Sequence, residues 1–328
     1  SKEAAAEVEG GDKVGDHEEA SSGVEEILSV TSGEVKIGGQ KVAYKATAGT
    51  IRLEKSGSRP EATVFYTAYE REGGEPRSKR PITFCFNGGP GSSSVWLHLG
   101  AFGPKRVALG DDGTDVPAPP YRLVPNAESL LDVSDLVFVD PVSTGFSRAT
   151  KPEEAGAFHG FQGDIDSVAE FVRLYVTREG RWGSPKYLAG ESYGAIRVSA
   201  LAAALQDRYG MYLNGVVIVS GVWDFSTLLP HPSNDLPYML FLSTMVAAAH
   251  YHGKVEGDRD ELIEAAESFA LGDYALALHR GASLPDAERE GVAKRLAELL
   301  GLEQSYIEAS NLRVRPSQFR KELMREEG

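Results

Sequence analysis

Tyr187-Leu188-Ala189-Gly190-Glu191-Ser192-Tyr193-Gly194 is the stretch of sequence that decides the fold. Tyr187–Ala189 has the character of a short buried strand, and the run from Ala195 to Tyr209, closed by Gly210, predicts a helix. The glycines two residues before and after Ser192 allow a sharp turn from the strand into the helix. The pattern G-x-S-x-G between a strand and a helix is typical of a nucleophile elbow, so Ser192 is the predicted nucleophile.

The predicted turn places the Ser192 hydroxyl at the carboxyl edge of the sheet, at the amino end of the following helix. The helix dipole there favours a developing negative charge. The alternative is an ordinary surface turn that contains a serine. The strand and the helix on either side favour the elbow over that alternative.

A second glycine-rich segment, Asn87–Ser94, follows a short buried strand at residues 82–86. A hydrolase of this kind needs two backbone N–H donors for the oxyanion, one after the nucleophile and one from a loop after an early strand. The predicted donors are the N–H groups of Tyr193 and Gly89. A phosphate-binding loop is the alternative, but no lysine follows at the spacing that such a loop requires.

A third loop, Asp140–Ser147, follows another buried strand at residues 136–139. Strands and helices alternate through residues 82–220, which predicts a mostly parallel sheet. Ligands of such sheets bind outside the carboxyl ends of the strands, where all three loops would lie. Residues 35–69 predict antiparallel strands that open the sheet, and residues 226–328 predict helices.

These three loops, in this order and spacing, resemble the serine carboxypeptidase family, in its bacterial form. The resemblance extends from about residue 35 to the end of the chain. It implies an α/β-hydrolase fold, with a mostly parallel central sheet and helices on both of its faces. Residues 27–225 would form this core, and residues 226–328 a helical insertion that acts as a lid.

The resemblance also implies a function, which is release of C-terminal residues from peptides through an acyl-enzyme. Ser192 would attack the peptide carbonyl, and the backbone N–H groups of Gly89 and Tyr193 would form the oxyanion hole. Two alternatives stay open. One is an esterase or acyltransferase on the same core, and the other is a non-catalytic binding module, because fold does not fix function.

In the family an asparagine and a glutamate bind the terminal carboxylate of the substrate. The matching residues here are Asn87 and Glu191, together with the backbone of Gly88. Two facing carboxylates repel each other, so one of the pair should hold a proton and donate a hydrogen bond. This arrangement predicts faster turnover at acidic pH.

The sequence departs from the family pattern at several positions. Ala101 stands where members commonly carry a second glutamate, and Ser92 stands where many carry a disulfide-bonded cysteine. The single cysteine, Cys85, lies in an apolar run and is predicted to be a buried thiol. With alanine at position 101, the group expected to bind the substrate carboxylate holds one glutamate instead of two. For this reason the esterase alternative stays open.

The nucleophile also needs a histidine base and an acid, in the chain order Ser, Asp, His. No histidine after Ser192 follows a predicted strand, and each is expected to be a solvated or helix-capping residue. These histidines are His231, His250, His252 and His279. We therefore expect the acid and the base beyond residue 328, and this chain alone to be nearly inactive.

Composition narrows the possible partners. The chain of 328 residues carries a formal charge of -14, which argues against nucleic acid as a partner. Residues 1–26 hold nine acidic residues and two lysines, a net of -7, and are expected to be a disordered acidic tail. The sequence shows no membrane span, metal-ligand spacing or cofactor motif, and no indication of oligomeric state. A peptide with a free C-terminus is the expected partner, and an exported location is favoured over the cytoplasm.

Overall fold

The structure, a computed structural model, describes residues 26–110 and 117–325. The chain divides into Ser1–Val222 and Trp223–Gly328, which we call unit 1 and unit 2. The predicted acidic tail at residues 1–26 lies, apart from Glu26, outside the described residues. No helix of the described ranges is both long enough and apolar enough to cross a bilayer.

Unit 1 contains one large sheet and one small two-stranded sheet. Its strands are β1 (Leu28–Ile37), β2 (Gln40–Leu53), β3 (Ala62–Arg71), β4 (Ile82–Phe86), β5 (Lys105–Val107), β6 (Leu123–Pro125), β7 (Asp135–Val139), β8 (Arg148–Ala149), β9 (Lys186–Glu191) and β10 (Gly215–Val219). The large sheet has the order β1-β2-β3-β7-β4-β9-β10, and β8 pairs with β3. The small sheet, β5 with β6, was not predicted from the sequence.

The strands β7, β4, β9 and β10 run parallel, and β1 to β3 join them antiparallel. From β4 the chain passes to β7 on one side and later to β9 on the other. The loops after β4, β7 and β9 therefore open at one edge, at the point where the strand order reverses. The predicted fold class, an α/β-hydrolase with a mostly parallel central sheet, is confirmed.

The central strands are apolar because both of their faces are covered. Every residue of β4 and β7 is buried, as is typical of parallel strands between helices. On one face they pack with side chains of the long helices, such as Phe171 and Leu201. On the other face, Cys85 packs with Leu97 and Leu131, so the cysteine is the buried thiol that the sequence predicts.

The helices of unit 1 flank this sheet. They are α1 (Val95–Leu97), a π-helical turn (His98–Phe102), 3-10 turns (Leu130–Asp132 and Pro152–Phe158), α2 (Phe161–Arg178) and α3 (Gly194–Tyr209). Apolar residues at helical spacing predict a helix at residues 161–178, and α2 matches it, as α3 matches the helix predicted at residues 195–209. Gly210 ends α3 in the left-handed conformation, with φ at 62°.

Unit 2 is helical and has its own apolar core, which includes Leu242, Val246, Leu296 and Ile307. Its helices are α4 (Leu236–Leu240), α5 (Leu242–Tyr251), α6 (Arg259–Phe269), α7 (Ala275–Arg280), α8 (Asp286–Leu300), α9 (Gln304–Ala309) and α10 (Pro316–Leu323), with a π-helical turn (Ala270–Tyr274) and 3-10 turns (Phe225–Thr227 and Gly281–Ser283). The sequence predicts one helix over residues 236–252, but Phe241, with ψ at -8°, divides it. The helix α10 lies within the segment predicted to be helical, but it was not predicted as a separate helix.

Candidate active site

The predicted nucleophile sits on a strained turn between β9 and α3. Ser192 has φ at 56°, a region that residues other than glycine rarely adopt. Its N–H donates to the carbonyl of Val219 at 3.1 Å, and its carbonyl accepts from the N–H of Ala195 at 3.0 Å. These two bonds hold the turn between β10 and the first turn of α3. The serine is half-buried.

The packing around the turn leaves no room for a side chain at either flanking glycine. A Cβ atom on Gly190 would lie 2.2 Å from the carbonyl oxygen of Gly194. One on Gly194 would lie 2.7 Å from the carbonyl oxygen of Phe86. Only glycine at both positions allows β4, β9 and α3 to approach this closely.

The loop after β4 lies directly against the elbow. A Cβ on Gly88 would be 2.5 Å from the backbone nitrogen of Tyr193 and 2.9 Å from the Cβ of Ser192. Its neighbour Gly89 has φ at 107°, which favours glycine. The structure thus brings Gly88, on the second loop, beside the elbow that carries Ser192 and Tyr193, and Gly89 is the next residue of that loop.

The three residues predicted to bind a carboxylate form one hydrogen-bonded group. Glu191 Oε2 accepts from Asn87 Nδ2 at 3.0 Å and from the backbone N–H of Gly88 at 3.3 Å. Asn87 is fully buried, and its Oδ1 accepts from the N–H of Leu97 at 3.0 Å. Glu191 is half-buried. The amide of Asn87 therefore orients the carboxylate of Glu191, next to the nucleophile in the chain.

Residues 38–257 match the serine carboxypeptidase family. The chain belongs to this family. One relative is the pheromone-processing carboxypeptidase KEX1 of Yarrowia lipolytica, 32% identical over 150 residues, which are 45% of this chain and 22% of that protein. Another is the serine carboxypeptidase-like 36 of Arabidopsis thaliana, 29% identical over 185 residues, 54% of this chain and 34% of that protein.

Among solved structures, the prohormone-processing carboxypeptidase KEX1(delta)p of Saccharomyces cerevisiae is similar, with a TM-score of 0.44 and 21% identity. This match covers 79% of our chain and 53% of that one. The chain spans about a fifth to a third of the length of the two curated relatives above.

The two departures from the family pattern have defined places. Ala101 is exposed in the π-helical turn, and its carbonyl accepts from Asn126 Nδ2 at 2.7 Å. Ser92 closes the turn of the second loop, because its N–H donates to the carbonyl of Gly88 at 3.1 Å. Neither position adds a carboxylate or a disulfide to the group around Glu191.

A contact that the sequence analysis missed joins the second loop to the third. Asp140 Oδ1 accepts from the N–H of Ser94 at 3.0 Å, and burial raises the pKa of this carboxyl group. A Cβ on Gly145 would lie 1.8 Å from Asp140 Oδ2, so the third loop closes tightly around the carboxylate. An aspartate directly after a buried strand was the available signal.

A buried pair between α2 and α3, Asp164 with Arg197, was also not predicted from the sequence. Burial raises the pKa of Asp164, although the adjacent guanidinium opposes the rise. The signal was a charged residue on an apolar helix face, since Asp164 precedes Val168 by four residues and Phe171 by seven.

The described histidines of unit 1 are bonded to groups other than Ser192. His98 Nε2 lies 2.7 Å from the Tyr69 hydroxyl, and its ring stacks on Phe138 at 4.6 Å between centroids. Burial lowers the pKa of His98 to about 4. His159 Nε2 lies 2.9 Å from the hydroxyl of Ser143. The predicted absence of the base from this part of the chain stays a prediction.

The described residues hold no group of three or more metal-ligating side chains. In unit 2, His231 Nδ1 lies 3.1 Å from Ser233 Oγ, and His250 Nε2 lies 3.1 Å from the carbonyl of Gly257. His252 follows the last residue of α5 and His279 is in the last turn of α7. These are local contacts near helix and turn ends, of the kind expected for solvated or capping histidines.

Proposed function

We propose that the protein to which this chain belongs is a serine carboxypeptidase that uses Ser192 as its nucleophile. The observation that supports it most is the hydrogen-bonded group of Asn87, Gly88 and Glu191 beside the elbow. A carboxylate-binding group next to a nucleophile selects the last peptide bond of a substrate, because the terminal carboxylate fixes the distance to the scissile carbonyl.

The two loops support the following reaction. The Ser192 oxygen attacks the carbonyl carbon, and its proton passes to a histidine base. The carbonyl oxygen of the substrate becomes negatively charged and accepts hydrogen bonds from the backbone N–H groups of Gly89 and Tyr193. The tetrahedral intermediate expels the amine of the last residue, which takes the proton from the base. Water then cleaves the acyl-enzyme in the same way.

Glu191 would recognise the substrate when it carries a proton. A protonated carboxyl donates a hydrogen bond to the terminal carboxylate, whereas an ionised one repels it. Asn87 Nδ2 and the N–H of Gly88 already face the oxygen of Glu191, and they would share their donors with the substrate. The proposed partner is therefore a peptide with a free C-terminus, and the proposed compartment is outside the cytoplasm.

The test compares a blocked dipeptide with its C-terminal amide, using the full-length protein. We expect kcat/KM to favour the free acid by about 100-fold or more, because the group formed by Asn87, Gly88 and Glu191 would meet a neutral amide in place of a charged carboxylate. Glu191→Gln keeps a donor at every pH and should remove the acidic optimum while preserving the preference. Glu191→Ala should weaken the preference, because only the donors of Asn87 and Gly88 remain, and Ser192→Ala is the inactive control.

Ala101 supports a second candidate, an esterase or acyltransferase on the same core. Its methyl group leaves the clamp with one carboxylate, so the selection for a free acid is weaker than with two. Equal kcat/KM for the acid and the amide, with a faster ester substrate, would establish this alternative. Absence of fluorophosphonate labelling at Ser192 in the full-length protein would instead support a non-catalytic module.

A further inference from the structure

We propose that Arg197, held by Asp164, is a positioning residue for the oxyanion hole. Arg197 lies five residues after the nucleophile, in the first turns of α3, and its exposed fraction is 1%. Asp164, in the first turn of α2, is 6% exposed. The inference rests on the proposed function only in requiring a reactive Ser192.

The guanidinium group uses all three of its nitrogens. Nε donates to Asp164 Oδ1 at 3.1 Å and to Oδ2 at 2.9 Å. Nη1 donates to the carbonyl of Asn87 at 2.7 Å, and Nη2 to the carbonyl of Pro90 at 3.4 Å. One arginine thus fixes both ends of the segment that carries Gly88 and Gly89.

Arg197 also contacts the other half of the predicted hole. Its guanidinium carbon lies 5.3 Å from the centroid of the Tyr193 ring, within the range of a cation–π contact. Tyr193 supplies one proposed N–H donor, and the Asn87–Pro90 segment supplies the other. Contacts of one side chain therefore reach both of the segments that carry the proposed donors.

A purely structural ion pair between two helices would need none of the carbonyl contacts. In that case the pair would stabilise unit 1 while the loop found its own position. Gly88 shows that the loop position matters, because a Cβ there would already lie 2.5 Å from the Tyr193 nitrogen. Donors to an oxyanion work only within a few tenths of an ångström, so movement of this segment should reduce the rate of the chemical step.

Lysine at position 197 separates the two roles. Arg197→Lys keeps a cation beside Asp164, but its single nitrogen cannot reach the carbonyls of Asn87 and Pro90 together. A structural role predicts nearly full activity for each folded molecule. A positioning role predicts a loss of kcat by about 10- to 100-fold with little change in KM.

The experiment uses the full-length protein and two matched probes. A peptidyl trifluoromethyl ketone is bound as an adduct in which the Ser192 oxygen adds to the carbonyl carbon and the new oxyanion enters the hole. The corresponding alcohol binds without this adduct. Arg197→Lys should weaken binding of the ketone by about 10-fold or more and should change binding of the alcohol by less than about 3-fold.

Arg181→Lys is the control, since Arg181 is also a buried arginine that pairs with an aspartate and donates to a backbone carbonyl, away from the loops. Asp164→Asn provides a second variant and should show the same selective loss. Equal weakening of ketone and alcohol, or the same ketone effect in the control, would overturn the inference. If the protein bound the ketone strongly but did not prefer free acids, this result would refute the proposed specificity and not the proposed role of Arg197.

Discussion

Two buried arginine–aspartate networks lie at opposite edges of the same sheet. At the carboxyl edge, Arg197 joins Asp164 to the loop after β4. At the amino edge, Asp135 begins β7 and accepts from Arg80 Nε and Arg181 Nη1, both at 2.7 Å. Both networks are buried, but Asp135 pairs with two arginines and Asp164 with one, and the surrounding backbone differs.

In each network some arginine N–H groups donate to backbone carbonyls instead of to the aspartate. These spare donors show which part of the backbone the network holds. At the amino edge they reach carbonyls at or before the starts of strands, with Arg80 donating to Leu131 and Arg181 donating to Arg80. Those segments belong to the frame of the sheet. At the carboxyl edge the spare donors reach the loop beside the nucleophile. A buried ion pair therefore contributes to the fold or to the site according to the carbonyls that its arginine contacts.

The largest effect is expected from a substitution that breaks the network at the amino edge. Asp135→Ala leaves two buried guanidinium groups without their carboxylate and should lower the free energy of unfolding by about 3–5 kcal/mol. Urea denaturation measures this loss. The control is Asp166→Ala, which removes a partly exposed partner of Arg208 and should cost less than about 1 kcal/mol. A similar small loss for Asp135→Ala would show that this network is dispensable.

A smaller effect concerns a buried group that has no ionic partner. His98 has its pKa lowered from 6.5 to about 4 in the folded protein, so the unfolded chain binds the proton first. Its contribution is full above pH 6.5 and is lost as the pH falls towards 4, by about 3 kcal/mol at most. Unfolding measured across this window should show the slope, and His98→Gln should reduce it.

His159→Gln is the matched control for this pH dependence, because His159 is exposed. An equal slope in the unmodified protein and in His98→Gln would contradict the assignment. The same experiment sharpens the comparison, since acid sensitivity that persists without His98 would then have to arise from the buried carboxylates. It also shows whether an acidic activity optimum is limited by loss of the folded state.

The smallest effect is expected for an ion pair that lies on the surface. Arg280 Nη1 lies 2.6 Å from Glu288 Oε2, but their side chains are 43% and 54% exposed. A double-mutant cycle with alanine should give a coupling of about 0.2–1 kcal/mol that decreases with added salt. A coupling as large as that of the buried networks would show that burial is not what distinguishes them.

Local patterns carried most of the fold prediction. The helices at residues 161–178 and 195–209 were predicted within a residue, because each combines an apolar stripe with a clear end. The errors fall where the local signal is short or mixed. The hairpin of β5 and β6 has three residues in each strand, and only two of the eight residues of α10, Phe319 and Leu323, are buried.

The site was predicted unevenly for a similar reason. Ser192 and the glycines around it follow from a local turn, so their positions were evident from the sequence. The links from Asp140 to Ser94 and from Arg197 to Asn87 join residues 46 and 110 positions apart. No local pattern indicates which partner such a side chain will meet.

By itself, the sequence determined the strained serine, the glycine-rich loops and the alternation of strands and helices, because steric limits and hydrophobic periodicity act over a few neighbouring residues. Only the tertiary structure decided that Asn87 would be buried against Glu191 and that Arg197 would hold the loop beside them. Those contacts depend on the order of β4, β7 and β9 in the sheet, which brings distant loops to one edge and excludes water from the charges between them.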